Sequence, residues 1–258
     1  MAGVTGRVAL VTGAGSPDGI GFATAKLLKD AGAKIAITST TNRIFDRLAE
    51  LDGDASNTFA FSADLTVPAA VINLVKEVEN ALGPIEIVVN NAGMLQVGID
   101  EPSANIHETS DESWEYGINI NLTSAFRVTR AVLPSMIERG YGRIVNVTSV
   151  TGPVVSISGS GVYGAAKAGM VGMTKSIAIE NGIHNITANC IGPGWIKTGS
   201  SSEREIVAGR YTPAGRPGTP SEIGHVAVFL ASEEASYVTG QLIVVDGGNT
   251  LQEYKVAL

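Results

Sequence analysis

The chain of 258 residues is 44% hydrophobic and 17% charged, and its formal net charge at pH 7 is −7. The length suffices for one large α/β domain, and the negative charge excludes the basic surface by which proteins bind nucleic acid or anionic membranes. The single cysteine, Cys190, excludes an internal disulfide and fits a reducing compartment. Residues 1–7 carry no signal-peptide pattern, and no apolar run reaches the roughly 20 residues that span a bilayer. We therefore expect a cytoplasmic protein that binds neither nucleic acid nor membranes.

Short β-branched runs alternate with longer stretches of helical periodicity along the whole chain. The predicted strands cover residues 8–11, 34–38, 58–62, 85–89, 143–147, 186–191 and 242–245. The predicted helices cover residues 21–31, 43–51, 69–82, 114–139, 163–179 and 222–231. Strands that are apolar on both faces and alternate with helices form a parallel sheet that is covered on both sides. The sequence predicts a single doubly wound α/β domain of the Rossmann type over residues 1–258, with a seven-stranded parallel sheet and helices on both faces.

Two longer segments interrupt this alternation. Residues 94–113 are long and polar, and residues 195–220 contain Gly and Pro pairs without a clear period. Each segment follows a predicted strand, and doubly wound domains bind ligands at the carboxyl ends of their strands. Because long irregular segments in a compact domain are typical of lids and binding loops, we expect both to be substrate loops.

A glycine-rich turn at residues 12–21 joins the first predicted strand to the first predicted helix. Gly13 permits a tight turn, while Gly19 and Gly21 permit a close approach of backbone to phosphate and of helix to sheet. The free amides of a helix that begins near Ile20 can face a pyrophosphate. Taken alone, such a turn can also be purely structural.

Polar residues follow two further predicted strands and therefore line the same crevice. Asp64 and Leu65 follow the third strand, where a carboxylate can reach the edge of an adenine. Residues 90–93, with the sequence Asn-Asn-Ala-Gly, form a small polar turn after the fourth strand. Three loops of polar and small residues thus converge on one edge of the predicted sheet.

Together these motifs resemble the short-chain dehydrogenase/reductase family over the whole chain. The most common branch of that family carries T-G-x-x-x-G-x-G, N-N-A-G, a serine and Y-x-x-x-K. The sequence matches this order at residues 12–21, at residues 90–93, at Ser149, and at Tyr163 and Lys167. It departs from the pattern in the first motif, where two extra residues separate the glycines. The resemblance implies an NAD(P)-dependent oxidoreductase.

The residue types at the candidate catalytic positions suit proton transfer. Tyr163 and Lys167 are four residues apart and share one face of a helix. A phenol with a pKa of about 10 is a poor acid–base group at neutral pH, and a neighbouring ammonium favours its phenolate. Ser149, after the fifth strand, can hydrogen-bond the substrate oxygen, and the resemblance adds Asn121, which in the family holds a water in the proton relay. We expect these four residues to be catalytic, and the three histidines, in unrelated segments, do not indicate a metal site.

The resemblance also implies which residues bind the cofactor. Lys167 is expected to bond the nicotinamide ribose, and residues 193–198 to contact the nicotinamide carboxamide. The insertion leaves open which of Gly15, Ser16 and Pro17 touch phosphate. The expected cofactor-binding residues are Gly13, Ser16, Gly19, Ile20, Gly21, Ser39, Thr40, Asp64, Leu65, Asn91, Ala92, Gly93, Tyr163, Lys167, Pro193, Gly194, Ile196 and Thr198.

The end of the second strand bears on the choice between NADP and NAD. NAD-binding proteins usually place a carboxylate there to bond the ribose 2′-hydroxyl, whereas this chain has Ser39. Thr40 and Thr41 add hydroxyl groups, and Arg43 can offset the charge of a 2′-phosphate. Asp18 points the other way, because many NADP-binding relatives carry a basic residue at that place. We expect NADP, with NAD as the alternative.

The predicted reaction is hydride transfer between a nicotinamide and a ketone or secondary alcohol, with Tyr163 as the acid/base. The first alternative is a 3-oxoacyl-thioester (acyl-carrier-protein) reductase, which residues 215–220 and 246–248 resemble. The helix after Lys167 ends without the arginine that an acidic carrier protein would favour, so we favour a stand-alone small molecule. A catalytically silent nucleotide-binding scaffold is a further alternative, and a sugar-nucleotide epimerase would need a larger C-terminal domain.

The predicted helices also bear on assembly. Residues 114–139 and 163–179 carry apolar side chains on more than one helix face. Packing against the sheet buries only one of these faces. In the family, the corresponding helices pair across one twofold axis, and the last helix and strand pair across another. We expect a homotetramer.

Overall fold

The computed structural model describes residues 3–93 and 103–253. Its strands are β1 (Val8–Thr12), β2 (Lys34–Ser39), β3 (Thr58–Ser62), β4 (Ile87–Asn90), β5 (Gly142–Val147), β6 (Ile186–Pro193) and β7 (Leu242–Val245). They form one parallel sheet in the order β3-β2-β1-β4-β5-β6-β7. The predicted seven-stranded parallel sheet is confirmed. The direction of winding reverses between β1 and β4, and ligands of doubly wound domains bind at such a point.

Helices cover both faces of this sheet. They are α1 (Ile20–Asp30), α2 (Arg43–Glu50), α3 (Pro68–Leu82), α4 (Asp111–Ile118), α5 (Ser124–Arg139), α6 (Gly161–Asn181), α7 (Glu203–Arg210) and α8 (Pro220–Ala231). One core layer holds buried residues of α1, α2 and α8, and the other holds those of α3, α5 and α6. Among the helices of the described residues, none has both the length and the apolar character that a membrane span requires.

The two core layers explain why the strands are continuous apolar runs. In β1, Ala9 and Val11 belong to the layer beneath α1 and α8. Val8 and Leu10 point the other way and belong to the layer beneath α3 and α5. Because side chains of a strand alternate between the two faces of the sheet, a strand buried on both faces needs apolar residues at every position.

The predicted helix over residues 114–139 is interrupted in the structure. A π-helical turn, Asn119–Thr123, separates α4 from α5. Apolar periodicity does not reveal such a turn, because one extra residue leaves the buried face nearly continuous on either side. π-helical turns are rare and are frequently found at functional sites, and this one contains Asn121.

The two predicted substrate loops differ from simple loops. Residues 94–102 of the first lie outside the described residues; after them come a 3-10 turn at Ile106–Glu108 and then α4. The second contains α7, which the sequence analysis missed. A capping box at Ser202 and Glu205 begins this helix, and the spacing of these two residues was the available signal. The short length and high charge of α7 concealed its periodicity.

Candidate active site

The turn after β1 is locked to the turn after β4. Thr12 Oγ1 accepts hydrogen bonds from the backbone N–H groups of Asn91 and Ala92, both at 3.0 Å. Asn91 Nδ2 donates to the carbonyl oxygens of Thr12 and Gly13, both at 3.1 Å. Gly13 has a φ of +68°, and a β-carbon there would lie 2.7 Å from the Cα of Ala92. The approach of the two turns therefore requires glycine at position 13.

The two extra residues of the first motif form a turn of their own. The Gly19 N–H donates to the carbonyl of Ser16 at 3.2 Å, which closes residues 16–19. Helix α1 then begins at Ile20, with no side-chain cap and no acidic residue in its first turn. A β-carbon at Gly21 would lie 2.5 Å from Asn91 Nδ2. Residues 17 and 18 of this turn are exposed, and the amides at the start of α1 are uncapped by side chains, as an anion site requires.

The end of β2 lies beside the glycine-rich turn. A β-carbon at Gly15 would lie 2.7 Å from Arg43 Nε and 2.9 Å from Ser39 Oγ. Ser39 Oγ donates to the carbonyl of Thr41 at 3.0 Å. The hydroxyl groups of Thr38 and Thr41 are buried and have no hydrogen-bond partner within the described part of the chain. A side chain at position 15 would meet both Ser39 and Arg43, so these two residues lie directly beside Gly15.

Asp18 lies on the other side of the glycine-rich turn. A β-carbon at Gly199 would come within 3.6 Å of Asp18 Oδ2 and 3.7 Å of Ser16 Oγ. Asp18 therefore contacts the segment after β6, whereas Ser39 belongs to β2 and the exposed Thr40 follows it. The sequence analysis weighed Asp18 against the residues at the end of β2; in the structure Asp18 lies beside Gly199 and lines the cleft next to α1.

The residues after β3 are held locally. Asp64 Oδ1 accepts from the Thr66 N–H at 2.8 Å and from its hydroxyl at 2.6 Å. The side chain of Leu65 is buried, and its carbonyl accepts from Arg127 Nη1 at 3.4 Å. Both residues follow the carboxyl end of β3, where the sequence analysis expected an adenine.

Tyr163 and Lys167 lie on α6 near the end of β5, and Ser149 follows that strand. Lys167 Nζ lies 5.5 Å from the centre of the Tyr163 ring, which confirms that the two share one helix face. Lys167 is only 3% exposed, and its Nζ donates to the carbonyl of Val147 at 3.1 Å. Ser149 follows β5, and its Oγ accepts from the backbone N–H of Thr151 at 3.0 Å.

Asn121 lies close to the same point, although it comes from the π-helical turn. Its side chain is 2% exposed, and its Nδ2 donates to the carbonyl of Gly117 at 3.2 Å. A β-carbon at Gly93 would lie 2.8 Å from Asn121 Oδ1 and 3.3 Å from Lys167 Nζ. The turn after β4 therefore meets Asn121 and Lys167 at a place that admits no side chain at position 93.

A chain of hydrogen-bonded, buried polar side chains links β4, β5, α5 and α6. Asn90 Nδ2 donates to Thr129 Oγ1 at 3.0 Å and to Asn146 Oδ1 at 2.8 Å. Asn146 Nδ2 in turn donates to Thr174 Oγ1 at 2.8 Å, and that oxygen is 3.0 Å from Cys190 Sγ. Burial raises the pKa of the Cys190 thiol to about 11, so this cysteine is a structural group rather than a nucleophile. The sequence analysis did not single out Asn146 or Thr174, whose only signal is a polar residue among buried apolar neighbours.

The segment after β6 forms the opposite wall. The carbonyl of Pro193 accepts from the Val150 N–H at 3.0 Å, and a β-carbon at Gly194 would lie 2.6 Å from the Cβ of Asp246. Ile196 pairs with Gly218. The Thr198 N–H donates to Ser201 Oγ at 2.9 Å. An open cleft of about 750 Å³ separates this wall from the inserted turn; it is lined by Pro17, Asp18, Ala23, Lys26, Leu27, Asp30, Lys197, Thr198, Gly199, Pro220 and Ser221.

The chain resembles known proteins over nearly its full length. A family model described as enoyl-(acyl carrier protein) reductase matches residues 13–250. The oxidoreductase UcpA of Salmonella typhimurium is 37% identical over 98% of both chains. The 3-oxoacyl-[acyl-carrier-protein] reductase FabG of Vibrio cholerae is 38% identical over 94% of this chain and 97% of its own. A double mutant of a Serratia marcescens short-chain dehydrogenase/reductase superposes with a TM-score of 0.85 and 28% identity, over 96% of this chain and 99% of the other.

The chain belongs to the short-chain dehydrogenase/reductase family. It is an NAD(P)-dependent dehydrogenase/reductase of that family. The glycines that face neighbouring backbone and the uncapped start of α1 fit such a dinucleotide, because its phosphates need close contact with backbone N–H groups.

Proposed function

We propose that this protein is an NADP-dependent oxidoreductase that interconverts a ketone and a secondary alcohol, with Tyr163 as the acid/base. One observation carries the proposal: Lys167 Nζ lies 5.5 Å from the Tyr163 ring centre, on the helix that packs against the strand end bearing Ser149. We thus assign a proton-transfer group, a cation and a hydroxyl donor to this end of β5.

Each group has a defined task in this reaction. The nicotinamide, when bound, supplies or accepts the hydride. Tyr163 donates a proton to the carbonyl oxygen in reduction and removes it in oxidation, while the Ser149 hydroxyl hydrogen-bonds the same oxygen. The Lys167 ammonium favours the phenolate form of Tyr163. Asn121, beside Lys167, is suited to hold a water that returns the proton to solvent.

We assign the cofactor to the carboxyl ends of β1 to β6. Its phosphates would lie against the glycine-rich turn and the amides of α1, and Lys167 would bond the nicotinamide ribose. This assignment is supported by the backbone contacts that exclude side chains at Gly13 and Gly21. The groups expected to contact the cofactor are Gly13, Ser16, Gly19, Ile20, Gly21, Ser39, Thr40, Asp64, Leu65, Asn91, Ala92, Gly93, Tyr163, Lys167, Pro193, Gly194, Ile196 and Thr198.

NADP is favoured over NAD by the surroundings of Gly15. Arg43 Nε and Ser39 Oγ flank this residue. The backbone carbonyl of Thr41 accepts a hydrogen bond from Ser39 Oγ, and the Thr41 hydroxyl has no partner among the described residues. A guanidinium and several hydroxyl donors suit a 2′-phosphate. The carboxylate of Asp18 does not oppose this assignment, since it contacts the segment after β6.

A 3-oxoacyl-thioester reductase is the second candidate, and the similarity to FabG favours it. Against it, the exposed end of α6 carries Ile179, followed by Ile183 and His184, and no arginine. An acidic carrier protein would be attracted by basic groups there. A silent scaffold is disfavoured by the complete set of catalytic groups.

We also propose a homotetramer. Trp114 on α4 and Phe126 and Ile137 on α5 are large apolar residues that are between 37% and 42% exposed. A second group lies near the end of the chain; it consists of Phe229, Tyr237, Val244 and Leu251. Two separate apolar surfaces on one chain suit two kinds of twofold contact.

The test of the reaction is a screen of ketones and secondary alcohols with NADPH and NADH, and with their oxidised forms, followed by nicotinamide absorbance. The proposal expects turnover of a free ketone or alcohol that is faster with the phosphorylated cofactor. Turnover of acyl-carrier-protein thioesters alone would favour the second candidate. No turnover with any pair would contradict both.

A further inference from the structure

Thr148 joins the end of β5 to α6 at the level of the catalytic lysine. Its Oγ1 donates a hydrogen bond of 2.8 Å to the backbone carbonyl of Lys167. The residue before it, Val147, accepts the hydrogen bond from Lys167 Nζ through its carbonyl at 3.1 Å. The two bonds run in opposite directions between the same two elements. Lys167 is therefore held at both its backbone and its ammonium by two consecutive residues, Val147 at the end of β5 and Thr148 directly after it.

The hydroxyl of Thr148 is placed for this contact by the sheet. The Thr148 N–H donates to the carbonyl of Ile191 at 2.8 Å, so the residue continues the pairing with β6. Val147 faces the core layer beneath α1 and α8, so the next side chain in the strand faces α6. Thr148 is 3% exposed. Water therefore does not compete with its bond to Lys167.

A second close contact makes the same region rigid. A β-carbon at Gly152 would lie 2.1 Å from the carbonyl oxygen of Gly164. The backbone that follows Ser149 thus rests directly on the helix turn that follows Tyr163. The Gly152–Gly164 contact and the Thr148–Lys167 hydrogen bond together fix the distance between α6 and the end of β5, which Ser149 follows.

We propose that Thr148 is a positioning residue: by holding α6 against the end of β5, it fixes where Lys167 and Tyr163 lie relative to Ser149. This inference rests on the proposed function, since it assumes that those three residues perform the proton transfer. Thr148 itself touches none of the reacting atoms. Its contribution is geometric, and a displacement of about 1 Å in a catalytic group can cost about 100-fold in rate.

The variants Thr148→Val and Thr148→Ser test this role. Valine keeps the shape and removes the hydroxyl, whereas serine keeps the hydroxyl. Thr174→Val is the matched control: Thr174 is also buried on α6, and its Oγ1 bonds the carbonyl of Met170 at 2.7 Å and Asn146 Nδ2 at 2.8 Å. It lies two helical turns beyond Lys167, so it connects the same helix to the same sheet away from the catalytic groups.

The measurements are kcat and KM for a ketone substrate and the thermal midpoint of each variant. We expect Thr148→Val to lower kcat about 10- to 100-fold with KM changed less than about threefold. Thr148→Ser should restore kcat to within about threefold of the unmodified protein. Thr174→Val should lower the thermal midpoint as Thr148→Val does, with kcat nearly unchanged. Equal losses of kcat in the two valine variants, or no loss in Thr148→Val, would overturn the positioning role.

A second readout does not depend on turnover. The absorbance change on ionisation of Tyr163 is obtained by alkaline titration of each variant and of the same variant with Tyr163→Phe. Displacement of the Lys167 ammonium should move this titration to higher pH in Thr148→Val but not in Thr148→Ser or Thr174→Val. An unchanged titration in Thr148→Val would contradict the inference. If the unmodified protein reduces no ketone, the proposed function fails, and the titration still decides the role of Thr148.

Discussion

The ammonium of Lys167 lies 5.5 Å from the centre of the Tyr163 ring, and it is also hydrogen-bonded to the carbonyl of Val147. One cation is therefore held between a phenol on its own helix and the end of the neighbouring strand. A buried ammonium loses its hydration, so hydrogen bonds and favourable electrostatic contacts must replace it. This relationship ties the proposed chemistry to the packing of α6 on β5.

Substitution of the phenol tests the proposed proton donor. We expect Tyr163→Phe to lower kcat by about 10²- to 10⁴-fold or more, because no other group is assigned to donate a proton to the substrate oxygen. Steady-state kinetics measure the loss. The thermal midpoint and the affinity for NADPH serve as controls and should stay close to those of the unmodified protein. Ordinary turnover by a folded Tyr163→Phe variant would refute the mechanism.

A carboxylate at the end of β2 tests the cofactor assignment. Ser39→Asp should place a negative charge beside Gly15 and Arg43, where we assign the 2′-phosphate. We expect the ratio of kcat/KM for NADPH over NADH to fall by about tenfold or more, which corresponds to ~1.4 kcal/mol. Asp18→Asn is the matched change of one charge on the other side of the turn, and it should leave this ratio nearly unchanged. A preference for NADH in the unmodified protein would contradict the assignment.

The exposed apolar surface of α5 tests the proposed assembly. We expect sedimentation equilibrium at micromolar concentration to give the mass of four chains. Phe126→Glu should lower this mass, since a buried carboxylate at a subunit interface is costly. Ile72→Glu, at a residue of α3 that is 66% exposed, is the control and should leave the mass unchanged. A monomeric mass for the unmodified protein would refute the tetramer.

Substitution of Arg143 tests the contribution of a buried contact at the opposite end of the sheet from the candidate site. Its side chain is fully buried and donates to the carbonyl oxygens of Ser232 at 3.3 Å and Asn185 at 2.9 Å. Arg143→Met should lower the free energy of unfolding by about 3 kcal/mol, because the buried carbonyl of Ser232 and the partly buried carbonyl of Asn185 lose a charged donor. Denaturant unfolding measures the change, and kcat of the folded variant should not change.

The matched control for that prediction is Arg216→Met. Arg216 pairs with Glu222, but the two side chains are 55% and 42% exposed. Exposed ion pairs contribute little to stability, so the control should unfold at nearly the same denaturant concentration as the unmodified protein. If both variants lost a similar amount of unfolding free energy, burial would not explain the destabilisation of Arg143→Met.

Local sequence patterns predicted the element types well, because burial on both faces of a strand and on one face of a helix leaves a direct periodic signal. They also predicted that Tyr163 and Lys167 share a face, since helical geometry alone places residues four apart together. They failed at α7, because a short and highly charged helix has little apolar period. They also failed at the π-helical turn, because one extra residue leaves the apolar period of the longer helix almost unchanged.

The sequence by itself determined the parallel sheet, the positions of its motifs and the Tyr163–Lys167 pair, because each depends on the regular geometry of single elements. Tertiary structure decided which distant residues meet. It brought Asn121 and Lys167 to the same point beside Gly93, and it put Asp18 against Gly199 while Gly15 faces Ser39. Such contacts depend on how far one loop reaches across neighbouring strands. Helical and strand periodicity describe one element at a time, so they do not contain this information.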